Sequence, residues 1–142
     1  MPVDVQIVHG GLGRLFVCRG VLAGGELIAR NAEMLSAEGN YKGVRWALID
    51  ESATTSVAIS TAEVQTIVEQ DGRLAAALPE LVIAVVAPHD IGFGLSRMWE
   101  ILTERPGWSL RVLRSSSEAE IWLREEVRRK FGMELPEDLT AP

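Results

Sequence analysis

The sequence predicts an α/β fold with a mixed, mainly parallel sheet, an N-terminal antiparallel hairpin and about four helices. The chain has 142 residues, of which 47% are hydrophobic and 24% are charged, and this composition suits one globular core. Short apolar runs alternate with longer segments of helical periodicity, which is typical of parallel strands joined by helices. The predicted order of elements is β-β-α-β-α-β-α-β-α.

The hairpin is predicted from two strand-like segments on either side of a glycine-rich turn. Val3, Val5 and Ile7 alternate with polar residues, and residues 14–19 form the second segment. The turn, residues 10–13, reads Gly-Gly-Leu-Gly, and glycine supplies the positive φ angles that tight turns need. A dinucleotide-binding glycine loop opens a helix, whereas this one opens a strand, so we exclude that motif.

The remaining elements follow from apolar runs and from helix-capping residues. Leu81 to Ala87 is the most apolar run and lies between two prolines, which favours a central strand covered on both faces. The other predicted segments are strands at Val44 to Ile49 and Leu110 to Leu113, a loop at Asp50 to Ser56, and helices that begin after Gly25, Ser60, Asp90 and Ser115, the first ending at Gly39-Asn40. We expect Asp90 to cap its helix. Residues 1–132 are thus predicted to form a single domain, with a loosely ordered tail at 133–142.

Charge and cysteine content narrow the function classes. A net charge of −6 opposes binding to phosphate backbones, so nucleic acid is excluded as a partner. The single cysteine, Cys18, has no second cysteine for an intramolecular disulfide and no local base, and we expect it to be buried and inert. No segment approaches the roughly 18 apolar residues of a membrane span. These features predict a cytoplasmic protein.

Two stretches of the chain resemble a known family. They are residues 83–90 running into Phe93-Gly94-Leu95, and residues 112–115 running into 118–123. They look like the SpoIIAA-like family of bacterial STAS/SEC14-type domains, and the order of elements is similar from about Val3 to Phe131. The resemblance implies a small sheet with helices packed against it. It also implies two precedents, which are protein-partner binding in the STAS branch and apolar-ligand binding in the lipid-carrier branch.

The STAS precedent directs attention to one helix start. Anti-sigma-factor antagonists of that branch are switched by phosphorylation at the N-terminus of the helix after the third strand. In this chain that position is Ser60 and Thr61, which are therefore the phosphorylation candidates implied by the resemblance. Helix capping accounts for the same hydroxyl groups without any phosphate.

Any site on this fold is predicted at the carboxyl ends of the parallel strands, because successive crossovers bring those loops to one edge. The candidate ligand- or partner-binding residues are Asp50, Ser52, Thr55, His89, Asp90, Arg114 and Ser115. A histidine at this edge is suited to act as a general base near neutral pH. An ordinary loop histidine followed by a helix-capping aspartate explains the same pair.

The sequence offers no catalytic or metal-binding constellation. The two histidines share no ligand spacing, and the adjacent carboxylates of Asp50 and Glu51 point in different directions along a strand end. Three of the four tryptophans follow core patterns, whereas Trp108 lies beside a turn and is the candidate for an exposed interface aromatic.

We therefore predict a non-catalytic binding or regulatory module of the SpoIIAA-like type, without cofactor or metal, whose partner is a protein. The alternative is a carrier or sensor of a small apolar or lipid-like ligand, which a cavity of roughly 300 Å³ or more would favour. Such a cavity is expected to be lined by residues such as Leu35, Val64 and Leu95. An enzyme that uses His89 is a third reading, and a homodimer is compatible with the sequence.

Overall fold

The computed structural model describes residues 2–36 and 41–142, so the predicted helix end at Gly39-Asn40 lies outside the described residues. Within these residues, five strands and four helices follow one another in the predicted order. The strands are β1 (Val3–Val8), β2 (Gly13–Ala23), β3 (Trp46–Ala58), β4 (Leu81–Val86) and β5 (Trp108–Leu113), and the helices are α1 (Gly24–Leu35), α2 (Thr61–Ala77), α3 (Asp90–Leu102) and α4 (Ser116–Phe131).

The sheet is mixed, and its strand order is β1-β2-β3-β4-β5. β1 is antiparallel to β2, and the other neighbouring pairs are parallel. This confirms the predicted fold class. Each parallel pair is connected by one helix, and right-handed crossovers between strands laid down in order place α1, α2 and α3 on the same face. The last helix, α4, packs on the opposite face.

β4 is the centre of this arrangement because all six of its residues are buried. Side chains alternate along a strand, so Ile83 and Val85 pack towards α1, α2 and α3, whereas Val82, Ala84 and Val86 pack towards α4. A strand covered on both faces has no position for a polar side chain, which explains the uninterrupted apolar run.

The third strand is longer than predicted. Residues 50–56, expected to be a loop, belong to β3, which continues to Ala58 beside the extended end of β2. Beyond Asp50, β3 has β2 as its only paired strand in the described chain. The polar composition that suggested a loop reflects this two-strand extension, defined here as residues 19–23 and 53–58, in which most side chains are exposed while Leu22 and Thr54 are buried.

The hairpin turn contains a short 3₁₀ segment, His9–Gly11, with three successive positive φ values. Gly13, which opens β2, has a different role: a Cβ there would overlap the indole ring of Trp46. Trp46 is fully buried and its Nε1 donates a hydrogen bond to His9 Nδ1 at 3.1 Å. The glycines therefore provide both a turn and the space for a core tryptophan.

The tail at 133–142 has no regular secondary structure, but it is packed rather than loose. Leu135 and Leu139 are buried in the same cluster as α4, and Arg124 of that helix donates hydrogen bonds to two tail carbonyls. The amide of His9 donates to the carbonyl of Ala141 at 2.9 Å. The sequence prediction failed here because two isolated leucines carry no periodic signal. The division of the chain at residue 132 stays a prediction.

Trp108 is not the exposed aromatic that its turn-side position suggested. It is 6% exposed, and its Nε1 donates to the carbonyl oxygen of Leu78 at 2.8 Å. The hydrogen bond satisfies the indole N–H, so the whole side chain can be buried at the start of β5.

Among the described residues, no helix is both long enough and apolar enough to cross a bilayer.

The core contact of α4 leads to a stability prediction. Leu123 is fully buried, whereas Ile121 on the same helix is 59% exposed. We expect Leu123→Ala to lower the free energy of unfolding by about 2 to 5 kcal/mol, because it removes buried methyl groups and leaves a cavity. The matched Ile121→Ala variant should change it by no more than about 0.5 kcal/mol. Urea denaturation of both variants provides the measurement, and equal losses would contradict the assigned face of α4.

Candidate functional site: a cavity between the sheet and three helices

A cavity of about 100 Å³ lies between the sheet and the layer formed by α1, α2 and α3. Its wall is mostly apolar, with side chains contributed by β2, β3, β4 and all three helices. Representative apolar wall residues are Phe16, Ile49, Ile67, Leu74, Ile83 and Leu95. Ligand pockets have this character, with a few polar groups placed in an otherwise hydrophobic lining.

The cavity floor is formed by alternate residues of the parallel strands. Ala47 of β3 lies between Arg14 of β2 and Ile83 of β4, and its methyl group is the smallest of the three side chains. Arg14 is buried and donates hydrogen bonds to the carbonyl oxygens of Gly11 and Gly13, both at 3.0 Å. The smallest side chain of the floor is therefore that of Ala47, and the guanidinium of Arg14 lies at the end near the hairpin turn.

Glu51 places a carboxyl group in the wall at the other end. It follows Ala47 and Ile49 on the same face of β3, and it is 6% exposed. The hydroxyl of Ser96 on α3 donates to Glu51 Oε2 at 3.2 Å. Burial raises the pKa of Glu51 to about 7, with the Ser96 hydrogen bond opposing the shift and Asp50 adding to it.

Asp71 is the second carboxyl group of the wall. It lies on α2 between Ile67 and Leu74 on the buried stripe of the helix. It accepts a hydrogen bond from Trp99 Nε1 at 2.7 Å. Burial raises the pKa of Asp71 to about 6, although the Trp99 hydrogen bond and the charge of Arg105 both lower it.

Sequence reasoning missed both carboxyl groups. The sequence predicts that Glu51 lies with Asp50 in a polar loop, and it assigns no role to Asp71 within its helix. A signal was present in each case, since Glu51 continues the alternation of Ala47 and Ile49, and Asp71 shares a helical stripe with apolar residues. An acid at a core-facing position indicates either a buried partner or a binding role.

The structure brings part of the predicted edge site together. Asp50 pairs with Val86 in the sheet, so it lies level with the end of β4. Arg114 donates to Asp90 Oδ1 at 2.8 Å and to the carbonyl of Pro88 at 3.2 Å, and its guanidinium lies 4.0 Å from the centre of the Phe93 ring. The loops after β4 and β5 are therefore in contact.

Other predicted residues are apart from this contact. Ser52 and Thr55 are exposed on β3 beyond the main sheet, and Ser115 caps α4 by accepting a hydrogen bond from the amide of Glu118 at 3.3 Å. None of the seven predicted side chains lines the cavity. Their role in binding stays a prediction.

Asp90 was expected to cap α3, and this was wrong. His89 occupies the capping position and makes no side-chain capping bond, while Asp90 is the first residue of the helix and pairs with Arg114. The difference follows from where the helix begins, because Asp90 is one position too far along the chain to be the cap.

The phosphorylation candidates differ in availability. Ser60 is the cap of α2, and its Oγ accepts from the amide of Glu63 at 3.1 Å while Glu63 Oε1 accepts from the amide of Ser60 at 2.9 Å. Thr61 is exposed at the first helical position. The predicted capping box is thus present, and phosphorylation of either residue stays a prediction.

Cys18 is fully buried, as predicted. Burial raises the pKa of its thiol to about 12, and the nearby charges of Glu51 and Asp50 add to the shift. A thiol held in its neutral form is a poor nucleophile and a poor metal ligand. Across residues 2–36 and 41–142, no group of three or more His, Cys, Asp or Glu side chains is placed to hold a metal ion.

The buried acids lead to a prediction about pH. We expect a ¹³C NMR titration of the side-chain carboxyls to place the midpoint of Glu51 at about 7 and that of Asp71 at about 6. Ser96→Ala should raise the titration midpoint of Glu51, because the variant lacks the hydrogen bond by which Ser96 stabilises the ionised carboxylate. A Glu51 midpoint near 4.5 would contradict this description of the wall.

The same titration is linked to stability. The Glu51 carboxyl binds its proton more tightly in the folded than in the unfolded protein, because its pKa is raised on folding. Its contribution to the free energy of unfolding is therefore fully present below the pKa of the unfolded chain and is lost as pH rises towards about 7. The loss is about 1.4 kcal/mol per pH unit within that window. Glu51→Gln should therefore gain stability relative to the unmodified protein between about pH 4.5 and pH 7.

No family model matches the chain, and no curated protein matches it. Among solved structures, the anti-sigma factor antagonist SpoIIAA in its unphosphorylated form is similar, with a TM-score of 0.49 and 13% sequence identity. The match covers 89% of this chain and 97% of the SpoIIAA chain. At this identity and TM-score, the likeness says nothing of the family, partners, ligands or phosphorylation of this chain.

Proposed function

We propose that this protein is a non-catalytic binding module that holds a small apolar ligand between its sheet and the layer of α1, α2 and α3, as a carrier or sensor. The most direct support is the apolar cavity, whose wall contains two buried carboxyl groups. Glu51 lies against α3, and Asp71 belongs to α2. Transfer of an apolar molecule from water into such a lining is favourable, and isolated polar groups then orient it.

The size of the cavity limits the ligand. A volume of about 100 Å³ is smaller than the roughly 300 Å³ expected for a lipid-like ligand. It is closer to the cavity of roughly 150 Å³ that accommodates benzene in an engineered protein. Val64 and Leu95 line it as anticipated, whereas Leu35 does not. The volume favours a ligand with a single ring or a short alkyl chain over a long-chain lipid.

A protein partner controlled by phosphorylation is the competing function. Of the two candidates, Thr61 is the more available, because a phosphate on Ser60 would disrupt a cap worth about 1 kcal/mol. Intact-mass analysis of the protein from its native host separates the two functions. An 80 Da adduct favours the switch, and a small molecule released on denaturation favours our proposal.

A cavity-filling variant tests the proposal. Ala47→Leu adds bulk at the centre of the floor, and we expect it to weaken the binding of toluene and 1-hexanol at least tenfold in calorimetric titrations. Filling an existing cavity commonly stabilises a protein by roughly 0.5 to 2 kcal/mol, so the variant should remain folded.

The matched control is Ala53→Leu, which makes the same change on the same strand at an exposed position. It should bind both probes like the unmodified protein. Failure of the unmodified protein to bind either probe would sink the proposal, as would equal binding by Ala47→Leu.

A further inference from the structure

We infer that the ligand carries a protonated amine as its polar head and that the carboxylate of Glu51 receives this head at one end of the cavity. This inference rests on the proposed function and adds the chemical class of the ligand. It identifies Glu51 as a specificity-determining residue.

The geometry leaves one oxygen of Glu51 available. Oε2 accepts from Ser96, whereas Oε1 accepts no hydrogen bond from the described part of the chain. Gly92 of α3 lies beside this oxygen, and a Cβ at that position would be 2.8 Å from Oε1. The glycine lets α3 cover the carboxyl group without filling the space next to Oε1.

The charge around Glu51 favours a cation. Within the described residues, Glu51 forms no ion pair, and the group that interacts with it electrostatically is the neighbouring carboxyl of Asp50 on β3. α3 contributes only the uncharged Ser96 to the carboxyl. A buried carboxylate is costly unless it is paired, and an ammonium group supplies both a charge and three donors.

The other charged groups of the wall are already engaged. Asp71 has the indole of Trp99 as a donor and Arg105 as a nearby cation. Arg14 donates to two backbone carbonyls and lies level with Ala47, four residues before Glu51, which corresponds to roughly 13 Å along a strand. At the Glu51 end of the cavity an anionic head would meet this carboxylate, so Glu51 with Ser96 selects for an amine there.

The remaining wall accommodates the apolar part of the ligand. From Glu51 the cavity continues past Ile49 and Ala47 of β3 towards Leu78 and Leu81. A short alkyl or aryl amine would therefore lie with its ammonium at Glu51 and its hydrocarbon between the sheet and α2.

Three hexyl compounds that differ only in the head group test the inference: hexylamine, 1-hexanol and hexanoate. At pH 8 we expect hexylamine to bind at least about tenfold more tightly than 1-hexanol, which is typical of a hydrogen bond to a charged group, and hexanoate to bind most weakly. Below about pH 7, affinity for the amine should fall about tenfold per pH unit, because a proton competes for Glu51. Affinity for the alcohol should not follow this trend.

Two variants assign the preference to Glu51. Glu51→Gln keeps the shape of the side chain, and we expect it to lose the preference for hexylamine while it still binds 1-hexanol. Glu69→Gln removes a carboxylate from the exposed face of α2 and should leave the preference intact. Far-ultraviolet circular dichroism and the retained binding of 1-hexanol report that each variant is folded.

The outcomes separate the inference from the proposed function. Binding of 1-hexanol without a preference for hexylamine overturns the amine inference and leaves the apolar cavity as the site. A preference that survives Glu51→Gln also overturns it, since the head must then lie elsewhere. If none of the hexyl compounds binds, the proposed function fails and the inference fails with it.

Discussion

Burial of β4 on both of its faces is the constraint on which the rest of this structure depends. A six-residue strand without a polar position requires a layer of side chains above and below it. α4 with Leu135 and Leu139 provides one layer, and α1, α2 and α3 provide the other. The first layer is a single helix completed by the tail. The second is a wider layer of three helices, and the cavity lies beneath it.

The two buried acids, Asp71 and Glu51, differ in how their burial in this layer is compensated. Asp71 is compensated by a strong donor and a nearby cation, so its position is explained by the fold itself. Glu51 has one hydroxyl donor and the carboxyl group of Asp50 as its acidic neighbour, and it is kept partly protonated near neutral pH. Unequal compensation of two similar groups in one cavity distinguishes a structural acid from an acid that is available for a ligand.

Most of the fold was accessible from the sequence because its signals are local. Alternation, helical stripes and capping residues placed the strands and helices in order, and the Ser60 capping box is present as predicted. The site was not accessible, because its polar contacts join residues far apart in sequence. Ser96 reaches Glu51 across 45 positions and Trp99 reaches Asp71 across 28. Local patterns also failed at Trp108, whose indole is satisfied by a carbonyl 30 positions away.

The two-strand extension has a consequence for exchange with solvent. Val57 of this extension and the adjacent Ile59 contribute to the cavity wall. Within the described residues the extension is a single pair of parallel strands, held at its outer side by the hydrogen bond from the Arg19 amide to the carbonyl of Pro2. Such a segment opens at a lower free energy than the central sheet, because fewer backbone hydrogen bonds and fewer buried contacts are lost. Opening of this extension would expose Val57 of the wall while β4 remains paired with β3 and β5. Entry and exit of a ligand would then be governed by local opening, on a timescale separate from that of global unfolding.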